Sequence, residues 1–354
     1  MNLLRRFLYK TFQSLKKSKM NLATNVKSEF APILLIAFNR AESTRRVIEA
    51  LIASNVKEMY FSVDGPRVGV DADKLKVSQV IALKDEYGDR IKFITQMHED
   101  NLGCRLAVTG AISWFLSQVD FGIILEDDCV PSKGFLSFAS RMLGLYENDE
   151  SIMHVGGSSY LAADIDHSYN HYFSSFHEVW GWATWARAWK HFQLNPGTAS
   201  QQENELILSH FKSKEIARWF NGYLSQARGV TPSVWSTQWS LSIIKNHGIA
   251  VNPINNLVKN IGFNKDSTHG NNPSFSLYDQ FHISDLSTLP DPPIVQIDYT
   301  LDKKRFEVIS KTDPSLFITN KLNAWMRTFL IRTLPQSLVF FIRKIKSIKK
   351  RLIK

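Results

Sequence analysis

Phe121-Gly122-Ile123-Ile124-Leu125-Glu126-Asp127-Asp128 is the stretch on which the fold turns. Its first five residues are apolar, with the β-branched and aromatic character of a buried strand. Three acids follow without a break. Working upstream, residues 105–119 have a helical period, and Ile91-Lys92-Phe93-Ile94 is a strand. Residues 73–87 are again helical, and Met59-Tyr60-Phe61-Ser62-Val63 is a strand stopped by Asp64-Gly65-Pro66. Residues 41–54 form a helix after the strand Pro32-Ile33-Leu34-Leu35-Ile36. Strand and helix alternating this regularly predict an α/β fold: a mostly parallel, Rossmann-like sheet with helices on both faces. Such sheets bind ligands beyond their C-terminal strand ends. Three polar clusters fall there: Asn39-Arg40, Asp64-Gly65-Pro66-Arg67 and Glu126-Asp127-Asp128.

Downstream the texture changes. A helix is expected at 132–147 and another near 205–227, with short strands around 152–155 and 249–251. The rest of this half is rich in Trp, Gly and Asn. No low-complexity linker separates it from the first half. The expected organisation is a basic N-terminal segment 1–29, a first half 30–150, a second half 151–290 sharing its cleft, and a C-terminal extension 291–354. Residues 291–320 carry no readable pattern.

The chain has 354 residues, 44% hydrophobic and 21% charged, which excludes a disordered or collagen-like protein. Cys104 and Cys129 provide no disulfide framework and no CxxC zinc site. No run of about 18 apolar residues is present, so no transmembrane helix is expected. The formal charge is +10, and it is concentrated at the ends. Residues 1–28 hold seven basic residues and no acid, and residues 321–354 hold ten and no acid. That leaves 26 basic against 33 acidic residues between 29 and 320, a formal −7. An acidic body argues against nucleic-acid binding.

Both ends are amphipathic. Leu338, Phe341, Ile345, Ile348 and Leu352 share a helical face beside seven Lys/Arg between Arg343 and Lys354. Leu4, Phe7, Leu8, Phe12 and Leu15 form a similar stripe beside Arg5, Arg6 and Lys10. Helices of this kind lie in the headgroup region of an anionic membrane, or dock on the body with their lysines solvated. The charges within the first stripe make it a poor signal peptide.

Carboxylates packed at a strand end need an electrostatic partner, because burying ions is costly. A divalent cation of the hard, oxygen-binding kind, Mg²⁺ or Mn²⁺, answers that need. The plain alternative is a solvated acidic turn. No GxxxxGK[ST] and no GxGxxG is present, so neither a P-loop nor a dinucleotide fingerprint is supported. Asn101-Leu102-Gly103-Cys104 is a turn into a helix, whose amides and Arg105 either face an anion or simply cap the helix. Trp180-Gly181-Trp182-Ala183-Thr184-Trp185-Ala186-Arg187-Ala188-Trp189 holds four tryptophans, suited to stacking on sugar rings or to filling a core. Gly181 permits close backbone approach. His269 is a metal or phosphate contact or a solvated loop histidine. Glu178 is a general base or a surface acid.

Taken in order, these segments resemble GT-A nucleotide-diphospho-sugar transferases. They are most similar to the branch of the N-acetylglucosaminyltransferase that starts complex N-glycans, with its bacterial relatives. The carrying residues are 32–40 (PILLIAFNR), 64–67 (DGPR), 101–104 (NLGC), 125–129 (LEDDC), 180–185 (WGWATW) and 256–263 (NLVKNIGF). The likeness spans about residues 30–272. It implies that Asp128 binds Mn²⁺ or Mg²⁺ on the donor's diphosphate, and that Glu126 and Asp127 contact the sugar or ribose. It implies that Phe38, Asn39, Arg40 and Asp64 hold the nucleotide, that His269 lies near the diphosphate, and that Trp180-Gly181-Trp182 line the acceptor side. Relatives carry Trp-Asp-x-x-Trp where this chain has Trp235-Ser236-Thr237-Gln238-Trp239, so Ser236 stands where a carboxylate base is expected. Glu178 is the substitute candidate.

The expectation is a metal-dependent hexosyl- or N-acetylhexosaminyltransferase. Its donor would be a nucleoside-diphosphate sugar, UDP-type favoured, and its acceptor a saccharide or lipid-linked saccharide of bacterial surface polysaccharide or lipopolysaccharide synthesis. The basic tails would hold it peripherally on the cytoplasmic leaflet of the plasma membrane. The competing expectation, raised by Ser236, is a sugar-nucleotide-binding protein without transferase activity.

Overall fold

The computed structural model describes residues 29–161, 168–228, 234–262, 290–292 and 294–312. Both basic amphipathic segments and His269 lie outside the described residues. Contacts divide the chain into Met1–Phe30 and Ala31–Lys354, and the second unit carries everything below.

β1 (Ile33–Ala37), β2 (Glu58–Val63), β3 (Lys92–Met97) and β4 (Phe121–Glu126) alternate with α1 (Ala41–Ala53), α2 (Asp71–Glu86) and α3 (Gly103–Leu116). β5 (Cys129–Pro131), α4 (Lys133–Leu145) and β6 (Ile152–Gly156) follow. The second half continues with β7 (His171–Ser174), β8 (Trp182–Trp185), α5 (Ala186–Trp189), α6 (Gln201–Phe211) and α7 (Lys214–Ala227). It closes with α8 (Ser236–Lys245), β9 (Ile249–Pro253), β10 (Val258–Asn260) and α9 (Tyr299–Thr312).

Eight strands form one sheet in the order β3-β2-β1-β4-β8-β6-β9-β7, and β10 pairs with β5 in a separate two-stranded ribbon. The β3-β2-β1-β4 part is wholly parallel, as the alternation predicts. Beyond β4 the sheet is mixed, with β8 antiparallel to both β4 and β6, and β6 parallel to β9. Every residue of β1, β6, β7 and β8 is buried, so the sheet is covered on both faces there. α3 packs against β1, β2 and β4, and α4 against β4, β8 and β6.

Three differences from the sequence reading have local causes. The helix expected near 205–227 is two helices, because Lys212 turns left-handed (φ 49°) and the Ser213 hydroxyl caps the next helix. The tryptophan stretch, suited by composition to either a sugar platform or a core, becomes strand β8 (Trp182–Trp185) and the short helix α5, with Trp182, Trp185 and Trp189 buried in the core. Residues 291–320, without readable pattern, supply α9, and Asp298 N–H bonds the Phe173 carbonyl at 2.8 Å to attach it to β7. Among the described residues no helix is long and apolar enough to cross a membrane.

Candidate functional site

Sheet topology decides which residues can meet. The parallel strands β1, β2 and β4 end at the same edge, at Arg40, Asp64 and Glu126. β8 runs the other way, with Trp182 opposite Ile124, so Glu178, Trp180 and Gly181 precede it at that same edge. The C-terminal end of β6, with Gly156 opposite Trp182, arrives there too. The Ser158 hydroxyl donates to the Trp180 carbonyl at 3.0 Å and ties the two segments together.

The acidic run lies at the centre of this edge. Arg40 grips Asp127 as a fork: Nη2 pairs with Oδ1, and Nε donates to Oδ2 at 3.3 Å. Its Nη1 reaches Asp128 Oδ2 at 2.9 Å. Burial works against the Arg40 charge, but Asp127 and then Asp128 outweigh it and hold the guanidinium protonated. Asp127 is buried and also accepts a backbone hydrogen bond from Phe38. Burial pushes the Asp127 carboxyl above its ordinary range against the pull of Arg40. Glu126, half-buried, is pushed higher by burial and by the charges of Asp128 and Asp127. With Glu126 driven toward its neutral form, Asp127 and Asp128 share one guanidinium, which leaves this strand end short of positive charge.

The β5·β10 ribbon closes over Asp128. Ile261 N–H donates to the Asp128 carbonyl at 2.8 Å, and Asn260 Oδ1 accepts from Gly262 N–H at 2.8 Å. A Cβ on Gly262 would lie 2.2 Å from Asp128 Oδ2, so any other residue here would displace this carboxylate. Gly181 has φ 66°, and a Cβ there would lie 2.6 Å from Val258 of the same ribbon. The ribbon therefore sits between the acidic run and the head of β8.

Other sequence candidates are placed differently. Asp64 accepts from Gly65 N (3.0 Å), Asn101 Nδ2 (2.8 Å), Leu102 N (2.8 Å) and Gly103 N (3.2 Å). Those four donors fill the acceptor positions of a carboxylate, so Asp64 holds the 101–103 loop and caps α3. The Leu102 and Gly103 amides at that helix start are spent on Asp64. Asn39 Nδ2 donates to Asp73 Oδ1 at 2.9 Å, and Arg67 Nη2 to the same oxygen at 3.0 Å. The Phe38 ring lies under the Arg67 guanidinium, 5.6 Å from its centre. Arg105 turns toward the second half, where its Nη2 donates to the Leu194 carbonyl (2.9 Å) and Asn195 Oδ1 (2.8 Å).

Trp182 is a correction to the acceptor-side expectation. It is fully buried and lies against Trp235, Trp239 and Trp189, with ring centres 5.8, 6.0 and 6.2 Å away. It has no surface to offer a sugar. Trp180 is half-buried, edge-on to Tyr160, and Gly181 stays beside it. Ser236 opens α8, half-buried, next to the buried Trp235.

Glu178 is neither isolated nor purely superficial. Its carboxylate, 21% exposed, pairs with Arg305 Nη2 from α9. Its carbonyl accepts from His154 Nε2 at 2.9 Å, while His154 Nδ1 accepts from Trp239 Nε1 at 3.2 Å. The two partners fix His154 as the neutral Nε2–H tautomer. Arg305 and His154 carried no sequence signal. Gly262 did, inside the segment 256–263.

Asp128 offers hard oxygen atoms of the kind a divalent cation takes, with its Oδ2 paired with Arg40 Nη1. Among the described residues no group of three or more His, Cys, Asp or Glu is placed to hold a metal. A cation here would be completed by ligand oxygens, as Mg²⁺ often is by phosphates.

No family model matches the chain, and no curated protein matches it. Among solved structures it is similar to HddC from Yersinia pseudotuberculosis, 14% identical, with 47% of this chain and 80% of that chain covered at a TM-score of 0.30. It is also similar to mannosyltransferase PcManGT from Pyrobaculum calidifontis in complex with GDP-Man and Mn²⁺. That pair is 10% identical, covering 66% of this chain and 76% of the other at a TM-score of 0.33. At these scores neither likeness bears on what this chain binds.

Proposed function

We propose that the protein is a metal-dependent glycosyltransferase that uses a nucleoside-diphosphate sugar. The observation that carries this reading is the acidic run at the end of β4, cross-linked by Arg40 and closed over by Gly262. Strand-end carboxylates short of positive charge suit a ligand that arrives with a cation and phosphates. The resemblance through 256–263 points the same way. The donor is of UDP type, and the sugar a hexose or N-acetylhexosamine.

In this reading Asp128 would hold Mn²⁺ or Mg²⁺, which would supply Lewis-acid charge to the departing diphosphate. Arg40 adds a fixed positive charge beside the leaving group. The bond from the anomeric carbon to the diphosphate oxygen breaks, a bond to the acceptor hydroxyl oxygen forms, and the hydroxyl proton passes to a base. Glu178 is that base, at the same edge. Trp180 and Gly181 border the acceptor, a saccharide or lipid-linked saccharide of surface polysaccharide or lipopolysaccharide assembly. Asp64 serves by holding the 101–103 loop. His269 is assigned to the diphosphate by the resemblance alone. The basic ends hold the enzyme on an anionic membrane surface, facing the cytoplasm of a bacterium. Co-sedimentation with vesicles of anionic lipid but not neutral lipid is the expected sign, and equal recovery with both contradicts it.

A second reading, a sugar-nucleotide-binding protein without turnover, is favoured by Ser236 and by the engagement of Glu178 with Arg305. A thermal-shift screen of UDP, GDP, CMP and TDP sugars with and without Mn²⁺ tests both. A metal-dependent shift for one nucleotide class is expected. Transfer to an added acceptor separates the first reading from the second, and no shift with any donor overturns both.

A further inference from the structure

We propose that Arg305 is the positioning residue for the reaction, fixing the Glu178 carboxylate toward the acceptor from the otherwise unreadable helix α9. This rests on the glycosyltransferase reading, in which Glu178 takes the acceptor's proton.

The segment from Ser174 to Trp180 is anchored along its length. Asp302 Oδ1 accepts from the Ser174 hydroxyl at 2.5 Å, and its Oδ2 accepts from Ser175 N (2.8 Å) and the Ser175 hydroxyl (2.6 Å). Asn252 Nδ2 donates to the Phe176 carbonyl at 3.1 Å. His154 holds the Glu178 carbonyl, and Ser158 the Trp180 carbonyl. Asp302 and Arg305 are three residues apart on α9, so one helix face serves both ends of the Ser174–Glu178 stretch.

Arg305 is an unusual residue for a merely structural tie. Its side chain is 2% exposed. Its guanidinium lies 3.9 Å from the Phe176 ring centre and 5.3 Å from that of Tyr160. Aromatic faces favour a cation and stiffen it against rotation. Burial pulls the group down to about 10, so it is still charged at neutral pH. Its Nη1 is buried without a hydrogen-bond partner. A buried cation with one carboxylate partner directs that carboxylate strongly, because losing the partner leaves the charge uncompensated. Arg305 therefore fixes the Glu178 carboxylate in one orientation, on a segment that leads into β8 at the edge where β4 ends. Orientation of this kind lowers the barrier by placing the base before the hydroxyl arrives.

The test uses full-length protein with Arg305→Met, Arg305→Lys, Glu178→Gln and the double variant Arg305→Met/Glu178→Gln. Arg305→Met should lower kcat about 30-fold or more and move the acidic limb of the kcat–pH profile upward, since Glu178 loses its cation. The metal-dependent donor shift should stay at the wild-type size. Arg305→Lys should restore part of kcat and of the profile. The double variant should be no slower than Glu178→Gln alone, because the two act as one unit. A folded Arg305→Met protein with unchanged kcat and profile overturns the proposal, as do losses that multiply in the double variant. If Glu178→Gln retains full kcat, Glu178 is not the base and the proposal falls with it. If wild-type protein shows no donor shift at all, the transferase reading itself has failed, and donor binding distinguishes that outcome from the others.

Discussion

At one sheet edge, the ends of β1 and β4 gather Arg40, Glu126, Asp127 and Asp128, one cation among three acids. Along the same edge, the ends of β6 and β8 gather His154, Trp182, Trp235 and Trp239, buried and uncharged. Glu178 and Arg305 form a charged couple in the second region, and they neutralise each other. The contrast follows from strand direction. β4 runs outward and ends in polar residues, whereas β8 runs inward and begins in the core. The first region is arranged to receive charge from a ligand. The second is arranged to exclude water and hold a few groups still.

The largest expected effect separates the two regions by function. Asp128→Asn should leave the thermal midpoint close to wild type yet lower transfer about 100- to 1,000-fold, the scale of losing one electrostatic stabiliser. Transfer kinetics and a melting curve on the same sample check it. Trp182→Ala should do the reverse, costing about 3–5 kcal/mol of stability as a buried aromatic is removed. Denaturant unfolding measures it, and a cost below 1 kcal/mol would break the assignment of Trp182 to the core.

Acid sharpens the contrast. Burial lowers His154 to about 3, and His171 and His210 each to about 4. The unfolded chain takes up these protons near pH 6.5, before the folded chain does. Stability from these groups is therefore complete above about pH 6.5 and is lost as the pH falls toward 4, at about 1.4 kcal/mol per pH unit for each histidine. Buried carboxyls held above their ordinary range, Asp127 and Asp302 among them, gain stability as the pH falls and oppose this loss, so the readout is a difference: from pH 7.5 to 5 the wild-type midpoint should fall relative to that of His210→Gln, and parallel curves would contradict it. The smallest effect belongs to the first region. Asn101→Ala removes hydrogen bonds to Asp64 and the Gly65 carbonyl and should cost about 1–2 kcal/mol. Urea midpoints resolve a change of that size.

Much of the first region was legible in the sequence. β1 to β4 and their helices repeat a period that local composition sets, and their ends are marked by Arg40, Asp64 and Glu126. The second region was less so. Trp182 satisfies a core and a sugar platform equally by composition, and only pairing with Ile124 decides between them. Asp64 looked available because its partners Asn101, Leu102 and Gly103 lie some forty residues away in sequence. Arg305 was silent because its meaning depends on Glu178, Phe176 and Tyr160, more than a hundred residues upstream. Lys212 gave no warning of a helix break, since its left-handed turn is imposed by the packing of α6 and α7.

The central claim is that Asp128 binds a divalent cation together with a nucleotide diphosphate. Calorimetric titration of UDP into wild-type protein and Asp128→Asn, each with Mn²⁺ and with chelator, tests it most directly. Wild type should bind saturably with Mn²⁺ and at least tenfold more weakly with chelator, and Asp128→Asn should show the same weak binding under both conditions. Equal affinity in all four titrations would contradict it.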